Sequence, residues 1–421
     1  MGFSRYLASR MRSGRGFARL AAWLAVTSVA LAVAVPEVAV SIATGFEREI
    51  QAKIIGFTGD AHFGSYLPQA DDSIRRLTIP RELTWRVKNH PDVARYTGYV
   101  RRQAVLKSRE TMEGVEIKGV DADWNADFFA SALVAGRLPV FPDSGYGNEA
   151  LISRKTGLLL NAPPGEEIRA YFWEKGRVRM RKLVVAGWYE TGLTEIDEQL
   201  AIADIRLLRR ILGWEEEEVQ GAEIFFKPGR GVADYLARER RFVRANTNPF
   251  DVIAEWDALL GADLKAIPVS VAYADLFEWL GLQHQNVRFI VVLMTIVALI
   301  NLAGVVVIMI TERAATVGIL KALGASHRQI QGIFLWNAAY LIFVGLALGN
   351  AIGLIVLYIQ DRTGFITLDP DSYFVKTAPV AWIPFQFLTI NLMAIASFIP
   401  ALTVPLIYVL RIKPTRAIQM G

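Results

Sequence analysis

Residues able to do covalent or metal chemistry are few in this sequence, and they are scattered. There is no cysteine, so no thiol nucleophile, disulfide, Cys-ligated metal or lipobox-type lipid anchor is expected. The four histidines, His62, His90, His284 and His327, lack metal-ligand spacing, and surface or local structural roles are the plainer reading. No Gly-x4-Gly-Lys-Ser/Thr loop occurs, so the chain itself is not expected to bind or hydrolyse ATP. Gly165-Glu166-Glu167 reads as a turn, and no nucleophile stands beside a base. The chain is expected to be no enzyme and to hold no cofactor or metal. The work left to it is mechanical.

One polar stretch is organised for such work. Glu312-Arg313-Ala314-Ala315-Thr316-Val317-Gly318-Ile319-Leu320-Lys321-Ala322-Leu323-Gly324-Ala325-Ser326 connects two long apolar runs. Val317, Leu320 and Leu323 recur at spacing three, with Glu312, Arg313, Thr316 and Lys321 as polar positions, which predicts an amphipathic helix. Gly324 suits the left-handed position that ends a helix. Ser326 stands three residues before Gln329, a capping-box pattern that opens the next helix. An ordinary loop folded onto lipid headgroups would also fit this pattern taken alone.

The elements that position this stretch are membrane spans. Four segments reach the roughly 20 apolar residues a bilayer requires: 20–43, 289–310, 332–359 and about 380–410. The first follows Arg5, Arg10, Arg12, Arg15 and Arg19, and the last precedes Arg411, Lys413 and Arg416. Basic flanks mark the cytoplasmic side, so both ends are expected inside. The net charge of +5 is therefore an orientation signal rather than a nucleic-acid footprint. The first apolar run is too long for a signal peptide and is read as a retained span. Hydrophobic residues at 53% and charged residues at 21% suit a membrane part joined to a soluble one.

The expected fold class is an α-helical membrane domain of four transmembrane helices, with a large α/β (α+β) domain inserted between helices one and two. Residues 1–45 form the N-terminus and first span, 46–280 the extracytoplasmic domain, and 281–421 the remaining spans, the 312–326 segment and a basic tail. Within the insert, Arg177–Arg181 alternates like a half-exposed strand and Leu183–Ala186 continues it as a buried one. Ala203–Leu212 has a helical pattern ending near Gly213, and Glu215–Glu218 reads as a solvated helix start or face.

Several motifs together resemble ABC-transporter permeases of the FtsX/MacB/LolC type, and among them the lipoprotein-releasing (Lol-type) permeases. Glu312 followed by Gly318-Ile319-Leu320-x-Ala322-Leu323-Gly324-Ala325 is similar to their cytoplasmic coupling segment. Thr44-Gly45-Phe46-Glu47-Arg48-Glu49-Ile50, Gly119-Val120-Asp121 with Gly136-Arg137-Leu138, Val185–Leu193 with Ile196-Asp197, and Ile412–Ile418 resemble further family elements in order, although Ala122 replaces a family proline. The resemblance implies a permease subunit that extracts lipoproteins from the inner membrane for transfer to the outer membrane. It would pair with a second permease subunit, as homo- or heterodimer, and be driven by a separate ABC ATPase that binds ATP-Mg. The alternatives are a MacB-like efflux permease and an FtsX-like signalling scaffold for a cell-wall hydrolase. A periplasmic lipoprotein carrier is a further implied partner. Its family recruitment device, a long proline-bearing hook, is reduced here to a tight turn around Lys175-Gly176.

On that resemblance Glu312, Arg313, Thr316, Val317, Ile319, Leu320, Lys321, Leu323 and Gly324 are the expected ATPase-coupling residues. Val40, Ala43, Phe46 and Ile50 on the first helix, with Leu282, Phe289 and Leu293 before and in the second span, are the expected substrate path. Two apolar stripes either line a cavity for acyl chains or pack on each other. Gly345, Gly349 and Gly353 at spacing four let a helix approach closely, within the subunit or across a dimer. Glu37 beside Pro36 sits at headgroup level or in a functional pocket.

Overall fold

A computed structural model describes residues 17–65, 76–109, 111–174, 176–239, 248–260, 264–369 and 373–410. Arg5, Arg10, Arg12, Arg15, Lys175 and the basic tail with its Ile412–Ile418 motif lie outside the described residues. The chain divides into two compact units. One holds the residues up to Glu47, Trp279–Thr367 and those from Thr377 onward; the other holds Arg48–Glu278 and Leu368–Lys376.

The first unit is helical. Its long helices are Phe17–Thr58, Ala274–Glu312, His327–Thr363 and Pro384–Leu410, with a short helix Ala314–Ala322 between the second and third. Ala22–Thr58, Ala274–Glu312 and His327–Thr363 are long and apolar enough to cross a membrane, by length and composition. The fourth expected span coincides with the C-terminal helix, in which Pro384–Phe398 is a shorter apolar stretch among the described side chains. The helices extend past the apolar runs that announced them: the first continues to Thr58 and the second begins at Ala274. Backbone hydrogen bonding does not stop where lipid does, so hydropathy marks only part of each helix.

Val29, Val33, Leu302, Val306, Phe334 and Phe398 belong to one buried cluster of the helical unit. The three glycines of the third helix set how closely it meets the first. A Cβ at Gly345 would stand 2.6 Å from Val29 Cβ, and one at Gly349 would stand 2.6 Å from the Ala30 carbonyl oxygen. At Gly353 it would stand 2.5 Å from Glu37 Oε2, so this glycine makes room for a carboxyl group. These contacts lie within one subunit.

The second unit is built on a sheet. Its strands are β1 (Ala61–Ser65), β2 (Leu77–Thr78), β3 (Val93–Lys107), β4 (Met112–Val120), β5 (Leu133–Gly136), β6 (Glu149–Ser153), β7 (Glu167–Glu174), β8 (Arg177–Tyr189), β9 (Leu200–Asp204), β10 (Glu218–Val219), β11 (Gly221–Phe226) and β12 (Leu264–Pro268). Ten form one mixed sheet in the order β12-β1-β11-β3-β4-β9-β6-β8-β5, with β7 pairing both β3 and β8; β2 and β10 form a separate pair. The β4–β9 and β6–β8 ladders are parallel. A chain made of apolar helices and an α/β unit is what the sequence led us to expect.

Three local expectations change. The helix after β9 starts at Ile205, because Ala203 and Asp204 complete the strand and Asp204 caps the helix through the Arg206 amide; Gly213 ends it at φ 73°. The acidic run opens no helix. Glu217 pairs with Arg81, and Glu218 lies in β10 with its carboxylate 3.3 Å from Arg76. Strand β8 is buried from Leu183 onward apart from partly covered positions, as expected, but Arg177–Met180 does not alternate: all four are exposed, because this end of the hairpin has solvent on both faces. It pairs with β7 up to Glu174 opposite Arg177, leaving the short turn in which Gly176 has φ 73°.

A buried ion pair joins the sheet to the C-terminal end of the first helix. Lys118 on β4 and Glu223 on β11 are each 3% exposed, with Nζ 2.6 Å from Oε1. The same ammonium donates to the carbonyl oxygen of Phe57, one residue before the helix ends. Burial pushes Lys118 down from the ordinary lysine range, while Glu223 pulls it back up. Removing Lys118 leaves the buried Glu223 with only Arg101, 3.6 Å away, in place of a close hydrogen-bonded partner. Lys118→Met should therefore lower stability by about 3–5 kcal/mol, and Lys118→Met with Glu223→Leu should recover much of that loss. Thermal unfolding of the purified full-length single and double variants measures both effects.

Candidate functional site

The segment between the second and third helices folds as three consecutive local signals. Helix Ala314–Ala322 is followed by Leu323 at φ −79° and Gly324 at φ 88°. The Gly324 amide donates to Lys321 O at 3.0 Å and the Ala325 amide to Leu320 O at 2.9 Å, the paired bonds of a Schellman ending. Ser326 and Gln329 then complete a reciprocal capping box.

The faces of this short helix differ from the spacing-three stripe. Val317 is 1% exposed and belongs to the same buried cluster as Ile310, Ile330 and Phe334; Leu320 is half-buried. Leu323 is 79% exposed and Ile319 54% exposed. The reason is angular. At about 100° per residue, each step of three falls 60° short of a turn, so Leu323 stands about 120° from Val317. Ile319 lies four residues before it and shares its outer side. Glu312 is exposed, while Arg313, Thr316 and Lys321 are partly covered. The segment is thus seated by Val317 and presents an apolar pair, Ile319 and Leu323, to its surroundings.

The residues of the expected substrate path separate into two environments. Val40 and Ala43 are half-buried. Phe46 is buried edge-to-face against Trp279, with ring centroids 5.8 Å apart, and Ile50 is fully buried. Leu282, Phe289 and Leu293 are exposed, Phe289 by 70%. Ile296 and Ile300 continue them as an outward apolar stripe along the second helix. The first helix therefore contributes packing, and the second an open face.

Sequence reasoning missed two polar contacts among these helices. Glu47 pairs with His284 beside the Phe46–Trp279 contact, closing the first helix against the second. Both residues were visible, Glu47 inside a family-like motif and His284 as a scattered histidine, but 237 positions separate them. Glu37 is fully buried, and its Oε1 accepts from Asn391 Nδ2 at 3.3 Å. Asn391 and Asn350 exchange two bonds of 2.8 Å. The carboxyl group therefore faces the interior of the helical unit, against Gly353, and not lipid.

Comparison with known proteins agrees with the motifs. Residues 288–414, from the second helix to beyond the C-terminal helix, match the FtsX-like permease C-terminal family. The lipoprotein-releasing system transmembrane protein LolC of Neisseria meningitidis serogroup B is 24% identical over 402 residues, covering 89% of this chain and 88% of that protein. The corresponding LolE of Haemophilus influenzae is 22% identical over 421 residues, covering 91% of each. A solved periplasmic region of MacB from Actinobacillus actinomycetemcomitans aligns with 53% of this chain and 95% of its own at 9% identity and a TM-score of 0.36, too slight a likeness to argue from. Residues 288–414 are an FtsX-like permease domain, and over most of its length the chain is similar to transmembrane proteins of the LolC and LolE type.

Proposed function

We propose that this chain is the permease subunit of an inner-membrane ABC complex that extracts lipoproteins for transfer toward the outer membrane. A separate ATPase subunit supplies the driving force, and a second permease subunit completes the membrane part. The observation that carries the reading is the coupling segment: a capped helix, seated through Val317, that offers Ile319 and Leu323 outward. An exposed apolar pair on a rigid short helix suits a docking contact with another protein.

The proposed arrangement has four spans, with Pro384–Leu410 as the last, both termini in the cytoplasm and the α/β unit in the periplasm. It follows the arginine-rich start and the basic tail. Within it, the outward stripe of Leu282, Phe289, Leu293, Ile296 and Ile300 is the surface that meets the acyl chains. A triacyl anchor leaving lipid exposes apolar surface at about 0.8 kcal/mol per methylene, so release needs an apolar route. The β7–β8 hairpin lacks the length of the family's carrier hook, so a carrier would be engaged elsewhere or not by this subunit.

Three outcomes are expected. Ile319→Asp or Leu323→Asp should reduce ATPase co-purification at least tenfold while the chain stays inserted, and Gly324→Val should weaken it through strain at positive φ; unchanged association in all three would remove the coupling role. Single cysteines at Ser4, Ser144, Ser326 and Thr367 test orientation. A membrane-impermeant thiol reagent applied from the periplasmic side should label only positions 144 and 367. A photo-crosslinking residue at Phe289 or Leu293 should capture lipoprotein without ATP and lose it when ATP is added. No capture at either position, with lipoprotein sorting intact in a strain lacking the chain, would favour efflux or scaffolding instead.

A further inference from the structure

In the loop between the third and C-terminal helices, Thr367 and Thr377 pair in a β-bridge and stay with the helical unit, but the segment between them does not. Leu368–Lys376 is part of the α/β unit. Three chain segments converge there on one side chain, Lys53, four residues after Glu49 on the outer part of the first helix. Lys53 Nζ donates to the Phe374 carbonyl oxygen at 2.8 Å. Phe374 has φ 61°, a conformation that a bulky side chain adopts only where its surroundings enforce it. Val375 beside it is buried, and Lys376 Nζ stands 3.2 Å from Glu190 Oε2 at the end of β8.

The third segment is the turn after β8. Gly192, at φ 82°, lies so close that a Cβ would stand 3.2 Å from Lys53 Nζ and 3.4 Å from Phe374 O. Asp197 fixes this turn: its carboxylate accepts from the Thr191 amide at 2.9 Å, the Thr191 hydroxyl at 2.8 Å and the Gly192 amide at 3.0 Å. The Glu190-Thr191-Gly192…Asp197 element thereby acquires a physical purpose. It is a braced turn, and the ammonium group lies against it.

We propose that Lys53 is the pin of a clasp that holds the loop between the third and C-terminal helices on the outer part of the first helix. Displacement of the third and C-terminal helices then reaches the α/β unit through this loop, in addition to any route through the first two helices. Lys53 acts here as a positioning residue and touches no substrate. The clasp itself stands independently of the lipoprotein reading; only its use in transport rests on that reading.

The test compares the full-length chain with Lys53→Met, which keeps the aliphatic stem, and Lys53→Arg, which keeps the charge. Hydrogen exchange at the Leu368 amide, which donates to Lys376 O at 3.0 Å, reports whether the loop is held. Exchange should be at least tenfold faster in Lys53→Met and close to wild type in Lys53→Arg, with β3 and β4 amides unchanged. Equal exchange in all three chains would overturn the clasp. In the complex with its ATPase, Lys53→Met should keep ATP hydrolysis and thermal stability but lose at least fivefold in lipoprotein released per ATP, and Lys53→Arg should restore it. Full release from a complex whose loop exchanges freely would overturn the mechanical role. A wild-type complex that hydrolyses ATP and releases no lipoprotein would instead overturn the lipoprotein reading, and the exchange comparison would still decide the clasp.

Discussion

The Lys118 ammonium is almost entirely removed from water, and the position of the first helix on the sheet depends on how it is compensated. Taking a charge out of water costs several kcal/mol. Glu223 offsets part of this, and the Phe57 carbonyl, near the negative end of the helix dipole, offsets more. The helix end cannot slide or rotate on the sheet without taking the Phe57 carbonyl away from a buried ammonium that has no water to replace it. It is therefore anchored to the sheet at its C-terminal end.

The helical unit uses polar side chains in the same economical way. Asn301 donates to Ser28 at 3.0 Å, and Asn350 and Asn391 pair with each other while Asn391 reaches Glu37. Among apolar helices surrounded by lipid there is no hydrophobic effect to choose one packing over another, and interhelical hydrogen bonds of about 0.6–2 kcal/mol do so instead. Glycine complements them. Where Gly353 gives space, a carboxyl group fits between the first and third helices without forcing them apart.

What could be read from the sequence was local. The Gly324 ending and the Ser326 cap depend on residues three or four apart, and both formed as expected. The Val317, Leu320 and Leu323 stripe does not form one face of the Ala314–Ala322 helix, because spacing three drifts around the helix axis. Glu37 with Asn391 is 354 positions apart and Lys53 with Phe374 is 321, and no periodicity reports such meetings. The order of the sheet was hidden for a related reason: parallel ladders such as β4–β9 join strands that are not neighbours in the chain. Family resemblance supplied the overall plan, but it did not reveal which polar groups hold it together.

The β7–β8 hairpin has a consequence for how such proteins diversify. Its closing rung sets Glu174, buried against Arg102, opposite the exposed Arg177, while the strands behind it are fixed by pairing with β3, β5 and β6. Lengthening a loop at such a point adds only about 0.6 kcal/mol of closure entropy per doubling. The tip can grow or shrink over evolutionary time with little effect on the fold. A chain built on this sheet can change what its tip presents by altering one turn, leaving the strands behind it in place.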